Sequence, residues 1–536
     1  MLRRIRICLA IVVVLLLTWL FIDFSGIAAQ YAGWLAKLQL LPALLALNFV
    51  VVAVLLLLTL VCGRIYCSVI CPLGILQDLL SRLRPRKNKK VGRYTYSPEV
   101  RWLRYPVLLL FIVAMVAGVG SFVALLAPYS SFGRIAANLL KPVYVGINNI
   151  FAGVAEHYGS YAFYSVDNVI PSWPTFVVAV LSLIVLAVLA WIGGRTYCNT
   201  LCPVGTFLGL FSRFSLFRVR FDEQKCRSCS RCSKACKASC IDFKRHTVDA
   251  SRCVVCGNCI EACEFGALSY GRTVTASPAS SAHDGSGAGA EATVPSLVRP
   301  DETLDSSKTG KARAESSSAT ESSSVAEPSR RSFLLSSLSV LATAALAQET
   351  KIKMDGGLAD IENKVAPERA TPLTPPGSLS ARHLASHCTG CQLCVAQCPN
   401  HVLRPSSGLL TLMQPVMSFE RGYCRPECNR CSEVCPTGAI RPIGLDEKSS
   451  TQVGHAVWLK KNCVAVTDGV ACDNCSRHCP VGAIEMVPLD PADEHGTRVP
   501  AVNESKCIGC GACENLCPAR PFSAIYVEGH EVHRTN

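Results

Sequence analysis

The sequence lacks the short motifs that hold the commonest organic redox cofactors. It has no Gly-x-Gly-x-x-Gly loop placed after a strand, which would bind a dinucleotide or flavin, and no Cys-x-x-Cys-His motif for haem attachment. Long apolar runs are almost absent beyond the first 200 residues. Nucleotide, flavin and haem binding are therefore not expected, and one hydrophobic core shared by the whole chain is excluded.

What the chain does contain is divided unevenly along its 536 residues. Half of the residues are hydrophobic and lie mainly in the first 200 positions, whereas the rest is polar, rich in cysteine and interrupted by a serine-rich stretch. The formal charge is +14, but the lysines and arginines fall largely beside apolar segments, as they do on the cytoplasmic face of membrane proteins. The composition predicts a multidomain protein that contacts membrane lipid, and no nucleic-acid partner is expected.

Four apolar runs are long enough, or nearly so, to cross a bilayer as helices of about 20 residues. They cover residues 7–24, 42–62, 106–127 and 174–193, and each is bounded by charge, proline or glycine. Residues 1–220 are therefore expected to form an α-helical membrane module of four spans.

The charges between these runs predict how the module lies in the membrane. Residues 82–104 carry nine lysines and arginines against the single acid Glu99, whereas residues 128–173 carry only Arg134 and Lys141. Because positive loops stay in the cytoplasm, the first loop is expected inside and the second outside. Arginines near the N-terminus and after the fourth run agree, so both ends of the module are expected in the cytoplasm, in a multi-pass protein of the bacterial inner membrane.

Two segments in the middle of the chain predict a linker and an export signal. Residues 272–329 are rich in Ser, Ala, Gly and Glu without hydrophobic periodicity, which is typical of a disordered linker. Arg330 and Arg331 then precede an apolar run that closes in small residues. This pattern within residues 330–350 predicts either a twin-arginine signal, which exports the following domain to the periplasm already folded, or a fifth membrane segment.

Most cysteines fall into six groups of four. The groups are Cys226, Cys229, Cys232 and Cys236; Cys253, Cys256, Cys259 and Cys263; Cys388, Cys391, Cys394 and Cys398; Cys424, Cys428, Cys431 and Cys435; Cys463, Cys472, Cys475 and Cys479; and Cys507, Cys510, Cys513 and Cys517. The usual spacing is C-x-x-C-x-x-C-x-x-x-C, in which three thiolates hold one 4Fe-4S cubane and the fourth reaches a neighbouring cluster. The pattern predicts a two-cluster domain at 221–271 and a four-cluster polyferredoxin domain at 380–530, both with the α+β fold of bacterial ferredoxins.

Zinc and disulfides explain the same cysteines less well. Zinc sites usually use two C-x-x-C pairs separated by a longer spacer. A disulfide framework fits poorly with an odd total of 31 cysteines and with a first pair of groups expected in the cytoplasm. Six 4Fe-4S clusters are therefore the expected cofactors, with the 24 grouped cysteines as their iron ligands.

Four further cysteines belong to an internal repeat. Residues 63–82 and 194–213 are identical at ten of twenty positions and share a C-x-x-x-C-P core. Both copies follow an apolar run that is expected to end on the cytoplasmic face, so their thiols are expected to meet there. These candidate catalytic thiols are Cys67, Cys71, Cys198 and Cys202.

The repeated thiols have three alternative roles: to ligate a seventh cluster, to act as redox dithiols, or only to pack. Pro72 and Pro203 are each placed to start a following helix, where a missing N–H is not needed. Cys8 and Cys62 are interpreted as small apolar residues of membrane helices. No role is predicted for Cys240.

These motifs together resemble a known pair of redox proteins. The apolar runs with two GRxYCxxxCPxG repeats and a following two-cluster unit are similar to NapH, the membrane subunit of a quinol dehydrogenase that serves periplasmic nitrate reductase. The segment from about residue 328 onward, with its twin-arginine pattern and four cluster motifs, resembles the NapG and MauM ferredoxins. The likeness covers nearly the whole chain apart from the linker, but this sequence joins the two subunits in one chain.

The resemblance implies that electrons pass from a membrane quinol through 4Fe-4S clusters to a periplasmic redox partner, such as a cytochrome c or a molybdenum reductase. The chain would then be a quinol-dehydrogenase-type component. Proteins with CxxxCP motifs and ferredoxin units also resemble factors that reduce metal ions or maturation intermediates during assembly of another oxidoreductase, which is the second hypothesis. The exported four-cluster domain favours the first.

Overall fold

The computed structural model of the chain describes residues 2–83, 94–272, 362–493 and 496–535. Two predicted segments fall elsewhere. Almost all of the linker at 272–329, and all of the export signal or fifth membrane segment at 330–350, lie outside the described residues. Both stay predictions.

Helices make up the part of the chain that was expected to form a membrane module. In chain order they are α1 Leu2–Ile22, α2 Ile27–Lys37, α3 Leu40–Leu45, α4 Phe49–Cys62, α5 Tyr66–Val69, α6 Pro72–Leu83, α7 Arg101–Val116, α8 Gly120–Leu126, α9 Pro128–Ile135, α10 Lys141–His157, α11 Trp173–Gly193, α12 Thr196–Thr200 and α13 Pro203–Ser212. A π-helix, Ala136–Leu140, joins α9 to α10. Pro72 and Pro203 begin α6 and α13, so the predicted helix starts are confirmed.

Among the described residues, two helices are long and apolar enough to cross a membrane. They are Arg3–Ile22, within α1, and Trp173–Gly193, which is α11. Large apolar side chains on both helices, such as Leu15 and Leu181, are more than half exposed. A helix of 21 residues is about 31 Å long, which matches the hydrocarbon core of a bilayer.

The prediction of four spans is wrong, because the other two apolar runs are not continuous helices. Residues 42–62 form α3 and α4, which are separated at Leu47, whose φ is +54°, and the side chain of Asn48 caps the start of α4. Residues 106–127 are divided between α7 and α8 near Gly118, whose φ is +75°. A left-handed residue ends a helix even inside an apolar run, so hydropathy overestimated the number of spans.

The segment that was expected to be an outer loop is largely helical. Residues 128–173 contain α9, the π-helix and α10, and every residue of α9 is buried. The buried guanidinium of Arg134 donates hydrogen bonds to the Ala124 carbonyl and, at 3.2 Å, to the Ser131 hydroxyl. Internal hydrogen bonds of this kind let two of the four polar side chains of α9, Ser131 and Arg134, be buried in the module.

Short strands and short helices form the two cysteine-rich units. The first unit contains β1 Phe217–Phe221, α14 Arg231–Ala235, β2 Ile241–Asp242, β3 Thr247–Val248, α15 Asn258–Ala262 and β4 Leu268–Arg272. The second unit contains α16 Ala381–His387, α17 Leu393–Ala396, β5 Leu403–Pro405, β6 Pro415–Met417, α18 Arg430–Val434, α19 Leu445–Ser450, β7 Thr451–Trp458, the 3-10 helix Lys460–Asn462, α20 Val464–Thr467, α21 Asn474–Arg477, β8 Ile484–Pro488, β9 Arg498–Val502, α22 Ala512–Leu516 and β10 Ile525–Thr535. The antiparallel pairs are β1 with β4, β2 with β3, β5 with β6, β7 with β10 and β8 with β9. The predicted mixture of helix and strand is confirmed.

The two cysteine-rich units contact opposite ends of α1. At the N-terminal end, Arg3 forms an ion pair with Glu261 of the first unit. At the C-terminal end, the Gln397 amide of the second unit donates to the carbonyls of Leu20, at 2.7 Å, and Asp23, at 3.2 Å. Arg3 and Leu20 are about 26 Å apart along the helix axis, at 1.5 Å per residue. The length of the helical module therefore separates the two units.

Candidate iron–sulfur site

Four of the six cysteine groups share one backbone conformation. In each, the residue before the second cysteine and the residue after it have positive φ: Ser228 and Ser230, Val255 and Gly257, Gly390 and Gln392, and Gly509 and Gly511. Backbone of this kind turns successive N–H groups towards one point and forms an anion-binding nest, which is common at iron–sulfur sites. A β-branched residue such as Val255 tolerates this region poorly, so the site and not the residue type imposes the conformation.

In all six groups the third cysteine is the second residue of a short helix. The helices are α14, α15, α17, α18, α21 and α22, and the cysteines are Cys232, Cys259, Cys394, Cys431, Cys475 and Cys513. The fourth cysteine of each group comes after the last residue of its helix. The fourth cysteine of each group is therefore not part of the segment that carries the first three.

In the first unit each fourth cysteine lies close enough to affect the pKa of a thiol in the other group, as the predicted exchange requires. Burial raises the pKa of the Cys232 thiol to about 11, and the Cys263 thiolate of the other group adds to the effect. Burial also raises the pKa of Cys259, to which the Cys236 thiolate contributes. The two sets are Cys226, Cys229, Cys232 with Cys263, and Cys253, Cys256, Cys259 with Cys236.

The second unit shows the same exchange twice. Cys435 is among the thiolates that, together with burial, raise the pKa of Cys394, and Cys398 acts in the same way on Cys431. Cys479 contributes to the raised pKa of Cys507, after burial, and Cys517 contributes to that of Cys475. The resulting sets are Cys388, Cys391, Cys394 with Cys435; Cys424, Cys428, Cys431 with Cys398; Cys507, Cys510, Cys513 with Cys479; and Cys472, Cys475 with Cys517. Cys463 is buried in front of α20 and stays a predicted member of the last set.

One backbone contact joins the two pairs of sets in the second unit. The Cys424 N–H donates to the Cys510 carbonyl at 2.9 Å. Burial raises the pKa of the Cys510 thiol to about 12, and the Cys424 thiolate adds to it. The four sets therefore follow one another, and the set around Cys424 adjoins the set around Cys510.

The donor geometry fits cubanes better than single metal ions. Within the described residues, no three Cys, His, Asp or Glu side chains are arranged to hold one metal ion. A zinc site gathers four ligands around one ion at about 2.0–2.3 Å, whereas each thiolate of a cubane binds a different iron atom. All 31 cysteines lie in the described ranges as free thiols. The nests, the exchanged fourth cysteines and this spacing all fit 4Fe-4S clusters.

The four thiols of the internal repeat meet inside the module. They are Cys67, Cys71, Cys198 and Cys202, and each is 2–3% exposed. Burial raises the pKa of Cys202, and the thiolates of the other three add to the effect. Tyr66, beside this group, donates to the side chain of Gln39 at 3.0 Å. Gln39 lies between α2 and α3, so this bond joins the first repeat to that connection, and the expected place of the four thiols on the cytoplasmic face stays a prediction.

Each repeat sends its arginine to the cysteine segment of the other. Arg64 donates to the Cys198 carbonyl at 3.2 Å, and its Nη2 lies 3.8 Å from Cys67 Sγ. Arg195 donates to the Cys67 carbonyl at 2.6 Å. Both guanidinium groups are fully buried. The reciprocal bonds fix the two repeats against each other and place positive charge beside the four thiols.

An ion-pair network ties the central thiols to the first unit. Asp78 accepts hydrogen bonds from Arg195, at 2.7 and 2.8 Å, and from Lys237, which directly follows Cys236. Arg6 of α1 lies 3.6 Å from the same carboxylate. Although burial opposes it, the charges of Arg195 and Lys237 hold the pKa of Asp78 well below its usual range. The carboxylate therefore stays ionised and fixes the segment after Cys236 to the module.

The Cys253 group is the part of the first unit that adjoins the repeats. Arg64 donates to the Ser251 carbonyl at 2.8 Å. A Cβ atom added at Gly63 would lie 3.1 Å from the side chain of Val255. The set that contains Cys253 therefore lies next to the central thiols.

On the other side, α8 and α9 connect the repeats to the second unit. The Tyr197 hydroxyl, beside Cys198, donates to the Leu126 carbonyl at 2.8 Å. A Cβ atom added at Gly133 of α9 would lie 2.4 Å from the Cys391 carbonyl. The set around Cys391 therefore packs directly on the buried helix that follows this contact.

Sequence profiles of iron–sulfur domains match these regions. Profiles of 4Fe-4S dicluster domains match residues 387–440 and 470–520, and a 4Fe-4S binding domain matches residues 246–269. Another 4Fe-4S binding domain matches residues 44–90 and 175–222, which contain the two repeats. The predicted presence of several 4Fe-4S ferredoxin domains is confirmed.

Known ferredoxin-type proteins are similar to parts of the chain. The methylamine utilization ferredoxin-type protein MauM of Methylobacillus flagellatus is 31% identical over 166 residues, which are 30% of this chain and 70% of that protein. The chain belongs to the Mau/Nap ferredoxin family. The ferredoxin-type protein NapF of Escherichia coli K12 is 27% identical over 161 residues, 30% of this chain and 87% of NapF. YccM of the same strain, whose name suggests electron transport, is 26% identical over 210 residues, 38% of this chain and 48% of YccM. No solved structure matches.

Membership of the Mau/Nap ferredoxin family agrees with the predicted iron–sulfur electron-transfer role, but it does not account for Cys240. The Cys240 Sγ lies 3.5 Å from Cys236 Sγ. Hydrogen bonds with the Cys236 and Cys253 thiolates raise the pKa of Cys240 well above its usual value, so it is a neutral thiol beside two members of one set. Its position outside every motif gave no signal in the sequence. Cys8 lies exposed on α1 and Cys62 ends α4, as expected for residues of apolar helices.

Sequence reasoning also missed the buried charges of this Mau/Nap-type protein. Arg64 and Arg195 occupy the same position in the two repeats, and that identity was the available signal. No such signal existed for Asp78, because the second repeat has Gly209 at the matching position. A single acid in an amphipathic helix is more often solvated than buried.

Proposed function

We propose that the chain is a membrane-bound iron–sulfur protein that carries electrons from a membrane quinol, across the module, to a periplasmic redox partner. The observation that carries the proposal is the contact of the two ferredoxin units with opposite ends of α1, with four buried thiols between them. The name of MauM refers to methylamine utilization. We expect the acceptor to be a periplasmic reductase system, with a cytochrome c or a molybdenum reductase as the partner.

Uncovered apolar surface supports a place in the bacterial inner membrane. α1 and α11 leave large apolar side chains exposed, and neighbouring helices do the same at Val50 of α4 and Val116 of α7. Apolar surface on this scale is seldom left to water. The backbone N–H of Arg195, just after α11, donates to the Lys237 carbonyl of the first unit at 2.9 Å, so α11 runs back towards the unit that contacts the start of α1. The arginines at the start of α1 favour a cytoplasmic first unit and a periplasmic second unit.

Among the three roles for the repeat thiols, ligation of a seventh cluster fits best. Exposure of 2–3% leaves no access for a bulky external substrate of a dithiol. Simple packing does not explain why Arg64 is buried beside them, since a buried charge needs compensation and Arg64, unlike Arg195, has no carboxylate partner among the described residues. Buried thiols with raised pKa values become thiolates when they bind metal, and the arginines reduce the cost of that charge. A 4Fe-4S cluster bound there would supply one-electron chemistry between the two units.

The second hypothesis, reduction of a metal ion or maturation intermediate, is less well supported. Such a factor needs thiols that its substrate reaches, and all four repeat thiols are buried. The four sets of the second unit instead adjoin one another, as a conductor to a distant partner requires.

Mixing anaerobically purified full chain with a reduced menaquinol analogue tests the proposed donor. We expect the visible absorbance of oxidised clusters to bleach rapidly, and dithionite in a parallel sample to show how many clusters are reducible. No bleaching by the quinol in a sample that dithionite bleaches would remove the quinol from the proposal. The same protein in sealed liposomes with ferricyanide inside or outside then reports which face delivers electrons.

A further inference from the structure

A polar cavity of about 560 Å³ opens where the first unit meets the start of α7 and the end of α13. Its charged lining residues are Arg101, Arg213, Arg218, Arg252, Glu99 and Asp249. Four guanidinium groups face two carboxylates, so the lining has two excess positive charges. Such a cavity favours an anion.

Both carboxylates are already engaged with arginines. Glu99 accepts hydrogen bonds from Arg101 at 3.0 Å and from Arg104 at 2.8 Å, and Asp249 accepts one from Arg252 at 2.6 Å. Although burial opposes it, hydrogen bonds lower the pKa of both carboxyl groups, with the Arg101 bond foremost at Glu99 and a bond from the Ser251 hydroxyl foremost at Asp249, ahead of Arg252. Neither group is therefore a good proton acceptor, and the cavity is poorly suited to oxidise a quinol.

Arg218 differs from the other arginines of the cavity. Its side chain is half-buried, and within the described residues it has no hydrogen-bond or ion-pair partner. A guanidinium group presents several N–H donors in a fixed plane that matches the oxygens of a phosphate. Arg218 is thus available to an anionic ligand that enters the cavity.

The cavity lies where headgroups of a bilayer would be. Trp102, at the start of α7, and Phe214, just after α13, flank it and are 77% and 81% exposed. Exposed aromatic side chains at helix ends are typical of the membrane interface. Further along α7, the exposed side chains of Leu109 and Val113 offer an apolar surface to acyl chains.

We propose that this cavity binds the headgroup phosphate of an anionic phospholipid. Arg218 holds the phosphate, the excess positive charge selects an anionic headgroup over a zwitterionic one, and the acyl chains lie along α7. Basic pockets beside membrane helices on the cytoplasmic side commonly have this role. The inference rests on the proposed membrane location, but not on the electron route.

The test uses detergent-solubilised full chain with dioleoylphosphatidylglycerol or dioleoylphosphatidylcholine, and native mass spectrometry counts the bound lipid. We expect the anionic lipid to bind in preference to the zwitterionic one. R218Q should weaken that binding about tenfold, which corresponds to about 1.4 kcal/mol for one charge-assisted contact. R245Q, which removes an exposed arginine of the same unit outside the cavity, should bind as the parent does.

Three outcomes would overturn the proposal. They are equal binding of the two lipids, unchanged binding by R218Q, and displacement of the lipid by millimolar inorganic phosphate, which would assign the cavity to a soluble phosphate. The lipid-binding measurement needs neither quinol nor electron transfer. The lipid proposal can therefore be refuted while the proposed electron route stands. Recovery of the chain from the soluble fraction without detergent would instead refute the membrane location itself.

Discussion

Cys71 and Cys202 test the central group at the scale of single residues. If the repeat thiols hold a seventh cubane, the full chain carries about 28 irons, and C71S or C202S should each lower the content to about 24, because a cubane has four irons. Iron and labile sulfide per chain give the measurement.

The matched control is C8S, which alters an exposed cysteine of α1. It should leave the iron content unchanged. If the parent chain holds about 24 irons and neither C71S nor C202S lowers that number, the four thiols only pack.

Asp78 provides a second test, because one buried carboxylate holds Arg195 and Lys237 in place. D78N leaves both cations without a full counter-charge, and removing one partner of a buried ion pair costs about 3–5 kcal/mol. We expect a clearly lower melting temperature for the solubilised chain and faster proteolysis of the first unit. D222N removes the exposed partner of Lys225 in the same unit and should change neither. Equal melting of both variants with the parent would show that the network contributes no stability.

Single residues also show where sequence reasoning stops. The spacing of the cysteines predicted several 4Fe-4S domains, because ferredoxin loops need that spacing, and the exchange of fourth cysteines between groups stays a prediction. The positive φ of Ser228, Val255 and Gln392 had no local signal, since none of them is glycine. Such conformations are stable only in the finished site, so they depend on contacts that a linear pattern does not contain.

At the scale of helices and strands, the accuracy of the sequence predictions depended on which residues end a helix. α1 and α11 were predicted because each is one apolar run between charged or breaking residues. The run 42–62 was misjudged because Leu47 is left-handed there, a conformation that leucine rarely adopts and that hydropathy cannot indicate. The buried α9 was missed because half of its side chains are polar, whereas in the structure Ser131 and Arg134 donate to backbone carbonyls of the neighbouring α8.

Gly205 of α13 tests how closely the two repeats must pack. A Cβ atom there would lie 2.3 Å from the Cys198 carbonyl and 2.8 Å from Arg64. G205A should therefore push α13 away from the Cys198 segment of its own repeat and from Arg64 of the other, lower the melting temperature and reduce the iron bound at the central group. Iron analysis and thermal unfolding of the same preparation measure both effects.

The control is G153A in α10, where a Cβ atom would meet nothing within 4 Å. Alanine in a helix interior is more favourable than glycine by about 0.5–1 kcal/mol, so this variant should be neutral or slightly more stable. If G205A matched G153A in melting temperature and iron content, the close approach at Gly205 would not be needed to form the four-thiol group.

At the scale of the whole molecule, the thiol sets follow one another from the first unit to the far end of the second. The set with Cys253 adjoins the repeats, α9 connects the repeats to the set with Cys391, and the Cys424–Cys510 contact continues the order. The sequence predicted that sets occur in pairs, but it contained no information on which pair lies next to the helical module. That order arises from packing between segments hundreds of residues apart.

The predicted export signal would decide whether this order crosses a membrane. Replacing Arg330 and Arg331 by lysine should keep the domain from Ser380 onward in the cytoplasm, because twin-arginine transport requires the arginine pair. Its clusters should still assemble, since conservative surface changes affect stability little. The Gln397 contacts at the far end of α1 could then not form, and quinol would no longer reduce a periplasmic acceptor. Protease digestion of spheroplasts reports the location of the domain, and R313K in the linker is the matched control. If the double variant still exposes the domain outside, the signal hypothesis is wrong, and the partner of the second unit should be sought in the cytoplasm.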